Sequence, residues 1–453
     1  MRIDKLTLKN FRHFENRDFA FHPEFNLIVG VNGTGKSSIL DALSISLATW
    51  LLGFKSKLDV RGIEPGDARL KTFQADGSWN MDGSQKFDGR VRRIGNNGKP
   101  HLEAQYPVAI DALGTIEGNL IAWSRTKESE TGGTRYGEAK ALITKADESD
   151  LLIRLGKTQT LPLIAYYGTM RLWQEPKKLL GESRIDGPEA LMDKSMLSRL
   201  DGYRHSVDPR ISVKNLIAWF ARQEWVRFQS GTENTALNIV SEAVLGCIES
   251  AESLYFDPEL GQLMVSIRDR GSYPFANLSD GQRGMLAMVA DIAQKAGKLN
   301  PHLGEKFLID TPGVVLIDEL DLHLHPRWQR RIVEDLRRSF PKIQFICTTH
   351  SPQLIGQAKT NEIILLDKPE KHPGQSYGMD TNWILRHVMD SVDRDPVVAG
   401  KLDAIFVDIE SGQFDSAQQK LNAIRTEIGE HPDLVEAEAL ISRYTRFDHP
   451  TAE

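Results

Sequence analysis

The sequence predicts an α/β fold: a parallel sheet carrying a glycine loop, interrupted by an antiparallel β lobe and a helical lobe, and followed by a helical extension. Three observations predict it. The apolar run "FNLIVG" leads through a glycine loop into the helical pattern "SSILDALSISLATWLL". The later apolar runs "VVLI" and "IQFICTTH" each end on polar residues and are separated by one helical stretch, "RWQRRIVEDLRRSF". Beyond residue 410, apolar residues recur at three- and four-residue steps.

Taken in order, "MRIDKLTLKNFRHF" alternates apolar and polar positions like a strand and lacks the apolar core of a signal peptide. Residues 30–40, "GVNGTGKSSIL", match G-x-x-x-x-G-K-[ST], with Gly30, Gly35, Lys36 and Ser37 in the fixed positions. Strand, glycine loop and helix are the setting this motif needs, which disfavours an ordinary glycine turn. Glycines turn backbone N–H groups inward, and the helix start adds the positive end of its dipole, so Asn32, Gly33, Thr34, Gly35, Lys36, Ser37 and Ser38 form a candidate phosphate cradle. Lys36 is expected to reach the β- and γ-phosphates of ATP, and the Ser37 hydroxyl to ligate Mg²⁺.

Residues 73–100 are rich in Gly, Asn, Asp and Ser and read as loops or hairpins. "LEAQYPVAIDALGTIEGNLIAWSRTK" then alternates like antiparallel strands, and "LPLIAYYGTMRLWQ", 161–174, contains a further strand with Gln174 as a candidate link between nucleotide and helical lobe. The cluster Arg90, Arg92 and Arg93 reads as a solvated face in preference to a nucleic-acid contact. Residues 179–255 carry helical runs, "SVKNLIAWFARQEWVRF" and "NTALNIVSEAVLGCIESAESL", and no sustained heptads.

Leu278, Ser279, Asp280, Gly281 and Gln282 spell L-S-x-G-Q at a turn before a helical run through Met285, Met288, Val289 and Ile292. Alone this reads as a simple helix N-cap. Further on, Val314 to Ile317 form an apolar strand ending in Asp318 and Glu319, the position where doubly wound folds keep ligand chemistry. Asp318 can join the Mg²⁺ shell and Glu319 can orient and deprotonate an attacking water. The strand "IQFICTTH" ends in His350, whose neutral imidazole can hydrogen-bond a γ-phosphate. In the tail, Phe414, Ala417, Leu421, Ile424 and Ile428, then Leu434, Ala437, Leu440 and Ile441, line one face of a helical hairpin; it either packs onto the ATPase core or docks another subunit. "IFVDIESG" offers Asp408 and Glu410, too few acidic residues for a nuclease metal site.

The chain has 453 residues, which suggests about three domains. Its 56 Lys plus Arg against 62 Asp plus Glu give a net charge of −6, no polycation signature for nucleic acid. The two cysteines, Cys247 and Cys347, lie outside metal-ligand spacing and fit a reducing cytosol. The most apolar stretch, residues 38–54, contains Asp41 and reads as the helix after the glycine loop, not as a membrane span.

Phosphate loop, L-S-D-G-Q-R, strand ending D-E, "LDLHLHP" and strand-end His, in that order, resemble the ABC-type ATPase heads of the SMC and RecF class, of the AAA_21 kind. The opening "LTLKNFRHF" resembles that class too, whose matching arginine, here Arg12, lies near the nucleotide. The resemblance implies a RecA-like core with an antiparallel β lobe. It also implies a homodimer or higher homo-oligomer in which Ser279, Gly281 and Gln282 of one head close over ATP held by Lys36 of the other. The expected divisions are 1–175 (phosphate loop and β subdomain), 176–270 (helical lobe), 271–368 (signature, acidic pair and His350) and 369–453 (helical docking extension).

The phrases "AYYGTMRLW", "SRLDGYRHSVDP", "DELDLHLHP" and "TTHSPQ" further resemble the Septu-type anti-phage ATPases, including those attached to retrons. That resemblance implies a cytoplasmic ATP-driven scaffold controlling a separate HNH nuclease, in retrons with a reverse transcriptase and its RNA–DNA product, msDNA. The alternatives are a RecF-like DNA repair ATPase binding duplex DNA directly and, less in keeping with "NFRHF" and "LDLHLHP", the motor subunit of a membrane transporter.

Overall fold

The computed structural model describes residues 1–56, 58, 60–73, 101–172, 176, 198–248, 250–367, 374–392 and 394–448. They fall into two compact units, Met1–Met379 and Asp380–Glu453. Gln174 and the Arg90, Arg92, Arg93 cluster lie outside the described residues.

In the first unit the chain runs through β1 (Arg2–Phe11), β2 (Phe14–Ala20) and β3 (Phe25–Val29) into α1 (Lys36–Leu51). After the short pair β4 (Leu70–Phe73) and β5 (His101–Ala104) come β6 (Val108–Ile116), β7 (Asn119–Lys127), α2 (Lys140–Arg154) and β8 (Leu163–Tyr167). Helices α3 (Val213–Ser230) and α4 (Thr235–Cys247) precede β9 (Ala251–Asp257), β10 (Gln262–Ile267) and β11 (Gly271–Pro274). Then follow α5 (Asp280–Leu299), the single turn α6 (Phe307–Asp310), β12 (Gly313–Ile317), α7 (Pro326–Gln329) and α8 (Ile332–Ser339). The unit ends with β13 (Ile343–Thr349), α9 (Pro352–Ile355) and β14 (Ile363–Leu365).

The core sheet is parallel, in the order β14-β3-β13-β12-β8. Every residue of β3, β8, β12 and β13 is buried, as expected when both faces of a parallel sheet are covered. A four-stranded antiparallel sheet, β2-β1-β6-β7, forms the predicted β lobe. There β6 alternates buried and more open residues because only one face packs inward.

Helix α1 touches β12 and β13 on one side and β6 and β7 on the other. Being enclosed all round, it has no polar face, and its small polar residues need partners. Trp123 Nε1 accordingly donates to Ser46 Oγ at 2.8 Å, and Arg61 Nη1 to Ser44 Oγ at 2.8 Å.

Two elements differ from expectation. Residues 251–255, the end of the second helical run in the sequence reading, are strand: residues 251–274 form the antiparallel sheet β11-β10-β9, with turns at "DPELGQ" and "RDRG". The stretch "RWQRRIVEDLRRSF" is two short helices, because Arg331 leaves the helical region at φ −122°.

In the second unit, α10 (Thr381–His387) is followed by α11 (Pro396–Glu410), α12 (Phe414–Ile428) and α13 (Pro432–Asp448). Leu402, Ile405 and Ile409 of α11 meet Ala417, Leu421 and Ile424 of α12 and Leu434, Ala437 and Ile441 of α13. The apolar stripe read from the sequence is thus covered by α11 of the same unit. Asp408 and Glu410 sit on α11, where Lys420 and Ser416 engage the Asp408 carboxylate at 2.7 and 2.6 Å and hold its pKa down. Among the described residues, no helix is long and apolar enough to cross a membrane. Both cysteines are free and buried.

Candidate functional site

All five parallel strands deliver residues to the same carboxyl edge of the sheet, where open α/β sheets bind ligands. β3 leads into the phosphate loop and α1, β13 into His350, and β12 into Asp318 and Glu319. β14 and β8, at the two edges, lead into Asp367 and Arg171, which sequence reasoning did not single out. The His350 strand lies directly between the phosphate-loop strand and the acidic strand.

The loop is shaped by two glycines with positive φ, Gly33 at 85° and Gly35 at 96°. Gly35 is constrained twice, since a Cβ there would also lie 2.8 Å from Phe14 Cζ. Asp367 Oδ2 anchors the loop by accepting the Val31 N–H at 2.8 Å, and Thr34 Oγ1 donates to Val31 O at 2.9 Å. Helix α1 begins with no side-chain cap and no acidic residue in its first turn. Its first amide to find an acceptor within the helix is that of Ile39, to Gly35 O at 3.1 Å, so the N–H groups of Lys36, Ser37 and Ser38 are left for an anion. Asn32, Gly33 and Ser37 are exposed, whereas Ser38 is buried.

Lys36 is buried, with Nζ donating to Gly30 O at 2.8 Å and Val31 O at 3.0 Å. Burial lowers its pKa, while the carboxylates of Asp318, Asp367, Glu319 and Asp321 pull it back up. The lysine thus lies in the field of four carboxylates, an arrangement suited to a phosphate chain and a divalent cation entering together.

At the acidic end, the Asp318 carboxylate accepts from Thr348 Oγ1 at 2.6 Å, and the same hydroxyl oxygen accepts the Glu319 N–H at 2.7 Å. Glu319 stands at φ 48°, in the left-handed region. Arg171, buried beneath the turn, donates through Nη1 to Asp318 O at 2.9 Å and through Nη2 to Glu319 O at 3.2 Å. On either side of His350, Thr349 Oγ1 donates to Asp321 Oδ1 at 2.6 Å and Ser351 Oγ to Gln329 Oε1 at 2.7 Å, tying the His350 segment to the loop after Glu319 and to α7.

Arg12 is engaged elsewhere in this conformation. Its guanidinium binds Asp41 on α1 and Asp67, with Nε to Asp67 Oδ1 at 2.9 Å; Asp41 also receives Arg61 Nη1 at 2.7 Å and the Tyr166 hydroxyl at 3.2 Å. The arginine therefore stands beside the helix that follows the phosphate loop, neutralised by two carboxylates.

Ser279 is exposed and is the N-cap of α5, in a capping box with Gln282: the Gln282 N–H reaches Ser279 Oγ at 3.4 Å and the Ser279 N–H reaches Gln282 Oε1 at 3.1 Å. Gly281 is buried, and a Cβ there would lie 2.3 Å from His323 O. The signature turn is thus seated on the loop behind Glu319.

The cradle fits a nucleotide triphosphate: free helix amides, a lysine, a Ser37 hydroxyl and the Asp318 carboxylate form the donor set that ATP and Mg²⁺ require.

Comparison with known proteins agrees. The chain is similar to the "Retron Ec83 probable ATPase" of Escherichia coli, 25% identical over 87% of this chain and 77% of that one. It is also similar to the "Septu protein PtuA" of Bacillus mycoides, 25% identical over 82% of this chain but only 41% of the relative. A shorter region, 31% of this chain, is 31% identical to the "DNA replication and repair protein RecF" of Salmonella typhimurium and covers 38% of it. Among solved structures, the SMC head bound to the C-winged helix domain of ScpA aligns over 81% of this chain and 94% of its own, at 17% identity and a TM-score of 0.43. Residues 25–356 match the family AAA_21, described as "AAA domain, putative AbiEii toxin, Type IV TA system", a span holding the phosphate loop, signature turn, acidic pair and His350. The chain belongs to this family, an ATP-binding and ATP-hydrolysing AAA-type head with homology to the SMC, RecF, Septu and retron ATPases.

Proposed function

We propose that this head is a nucleotide-controlled switch. Two copies close head to tail over ATP, and their closure and release govern a partner HNH nuclease in an anti-phage complex, with a reverse transcriptase and its msDNA where a retron is attached. Lys36 and the free amides of α1 bind the phosphates, and Ser37 and Asp318 would hold Mg²⁺, which would supply charge neutralisation there. Glu319 takes the proton of the attacking water, His350 hydrogen-bonds the terminal phosphate, and Arg12 balances charge beside α1. Ser279, Gly281 and Gln282 close the site of the opposite copy. The helical extension 369–453 docks a subunit through faces other than the stripe already packed in its own core.

One observation chiefly supports the reading. The signature serine stands exposed and seated on the loop behind Glu319, while the phosphate loop two strands away also lies exposed. Two half-sites facing solvent are what a shared interface requires.

Coexpression with an HNH subunit encoded alongside tests it. The account expects a copurifying complex whose nuclease activity changes when Glu319→Gln replaces the parental chain; a chain that neither binds such a subunit nor alters its activity overturns the nuclease role. The likeness to RecF favours a second reading, direct binding of duplex DNA across the closed pair. That reading expects ATP-dependent DNA affinity with a steep salt slope.

A further inference from the structure

Resting on the reading of Glu319 as general base, we propose that Arg171 is a positioning residue for hydrolysis: its guanidinium clamps the main chain on both sides of Glu319 and so fixes where that carboxylate stands.

The two peptide units flanking the Glu319 Cα are each held at both ends. In the first, Asp318 O accepts from Arg171 Nη1 at 2.9 Å while the Glu319 N–H donates to Thr348 Oγ1 at 2.7 Å. In the second, Glu319 O accepts from Arg171 Nη2 at 3.2 Å while the Leu320 N–H donates to Thr348 O at 2.9 Å. Fixing both peptide planes fixes φ and ψ at the carbon between them, and with them the direction of its Cα–Cβ bond. The clamp has something to hold, because Glu319 lies at φ 48°, which a residue with a Cβ does not adopt by preference.

The chemistry of the clamp is specific to arginine. Buried guanidinium groups usually sit on carboxylates, yet Arg171 donates to three carbonyls, the third being Gly168 O at 3.2 Å. The nearby charges of Asp318, Glu319 and Asp321 offset part of the cost of burying it. A guanidinium presents two nitrogens in a rigid planar fork, one to each of these carbonyls, whereas a lysine offers a single nitrogen on a flexible stem that does not hold both peptide planes in that fixed geometry. The fork has a firm base, since the Arg171 carbonyl accepts the Ile211 N–H at 2.8 Å and the Gly168 N–H donates to Pro209 O at 2.8 Å. Those partners lie just before Ser212, the N-cap of α3.

The test uses the full chain and compares Arg171→Lys, Arg171→Gln, Glu319→Gln and the double variant Arg171→Gln/Glu319→Gln by ATP turnover, fluorescent-nucleotide titration and thermal melting. Arg171→Gln removes the buried charge, so it serves where Arg171→Lys does not fold. Displacing the carboxylate by about 1 Å should lower kcat about 10²-fold. KM and nucleotide Kd should stay within about twofold of the parent, the signature of a loss confined to the transition state. The double variant should be no slower than Glu319→Gln alone, because both changes disable one function. Folded Arg171 variants with parental kcat, or with Kd weakened as far as kcat, overturn the positioning role. A slow Glu319→Gln beside parental-rate Arg171 variants sinks only the clamp, whereas Glu319→Gln at the parental rate sinks the base itself.

Discussion

Gly281→Ala probes the seat of the signature turn with a single methyl group. A Cβ at Gly281 would lie 2.3 Å from His323 O, 3.2 Å from His323 C and 3.7 Å from Leu324 Cα. Carbon and oxygen need roughly 3.3 Å, so α5 and the loop must separate by about 1 Å, and backbone on both sides leaves no flexible side chain to yield. Overpacking of this kind costs about 1–3 kcal/mol. The loop that must move is tightly turned, with His323 at φ 60°, the Leu322 N–H on Glu319 O and the Leu324 N–H on Asp321 O, so displacement reaches Glu319 within one turn. Turnover should fall about 10²-fold for that shift. Nucleotide Kd should change little, because the phosphate-loop strand lies two strand spacings away, about 10 Å. Steady-state ATP hydrolysis and fluorescent-nucleotide titration on one preparation measure both quantities. Parental turnover from Gly281→Ala, or a Kd that rises as far as turnover falls, would refute the reasoning.

Further outcomes follow from the same geometry. Glu319→Gln should slow ATP turnover by about 10²- to 10⁴-fold while binding persists, whereas Lys36→Ala should weaken binding itself; paired titrations and rate measurements separate the two. In the second unit, Leu421→Ala removes a fully buried side chain at a cost of about 2–5 kcal/mol. Hydrogen exchange should rise across α11 to α13, with ATP binding unaltered. Burial brings the Lys298 pKa down to about 8 from an ordinary 10.5, so between those values the unfolded chain binds more protons and stability rises with pH. Lys298→Met should flatten that rise in melting temperature, and an unchanged slope would assign it to another group.

The nucleotide motifs were legible because each is local. Gly30 to Ser37 carry their own strand, turn and helix, and Asp318 and Glu319 follow an apolar run that can only be a buried strand. The tail helices were legible for the same reason, although the partner that covers their stripe was not, since α11 is apolar at its core positions without a clean face. Arg171, Thr348 and Asp367 escaped because their importance lies in main-chain groups from other strands, 147, 29 and 336 residues away in sequence, to which no motif points. Asp41 escaped likewise, appearing in the sequence only as a polar break in an apolar helix, while in the fold it gathers Arg12, Arg61 and Tyr166. Residues 251–255 were read as the end of a helical run because the alternation of β9 is short and follows directly on α4.

The shared site is tested most directly by complementation between two inactive chains. Lys36→Ala lacks a working cradle and Ser279→Arg lacks a working signature, so each alone should be inactive. In a head-to-tail pair of one with the other, the cradle of the Ser279→Arg chain meets the signature of the Lys36→Ala chain, and one whole site returns. Random pairing makes half the dimers mixed, each with one site of two, so an equimolar mixture should regain about a quarter of parental ATP turnover. A mixture as inactive as its parts, or a Ser279→Arg chain that hydrolyses ATP at the parental rate unaided, would contradict the account.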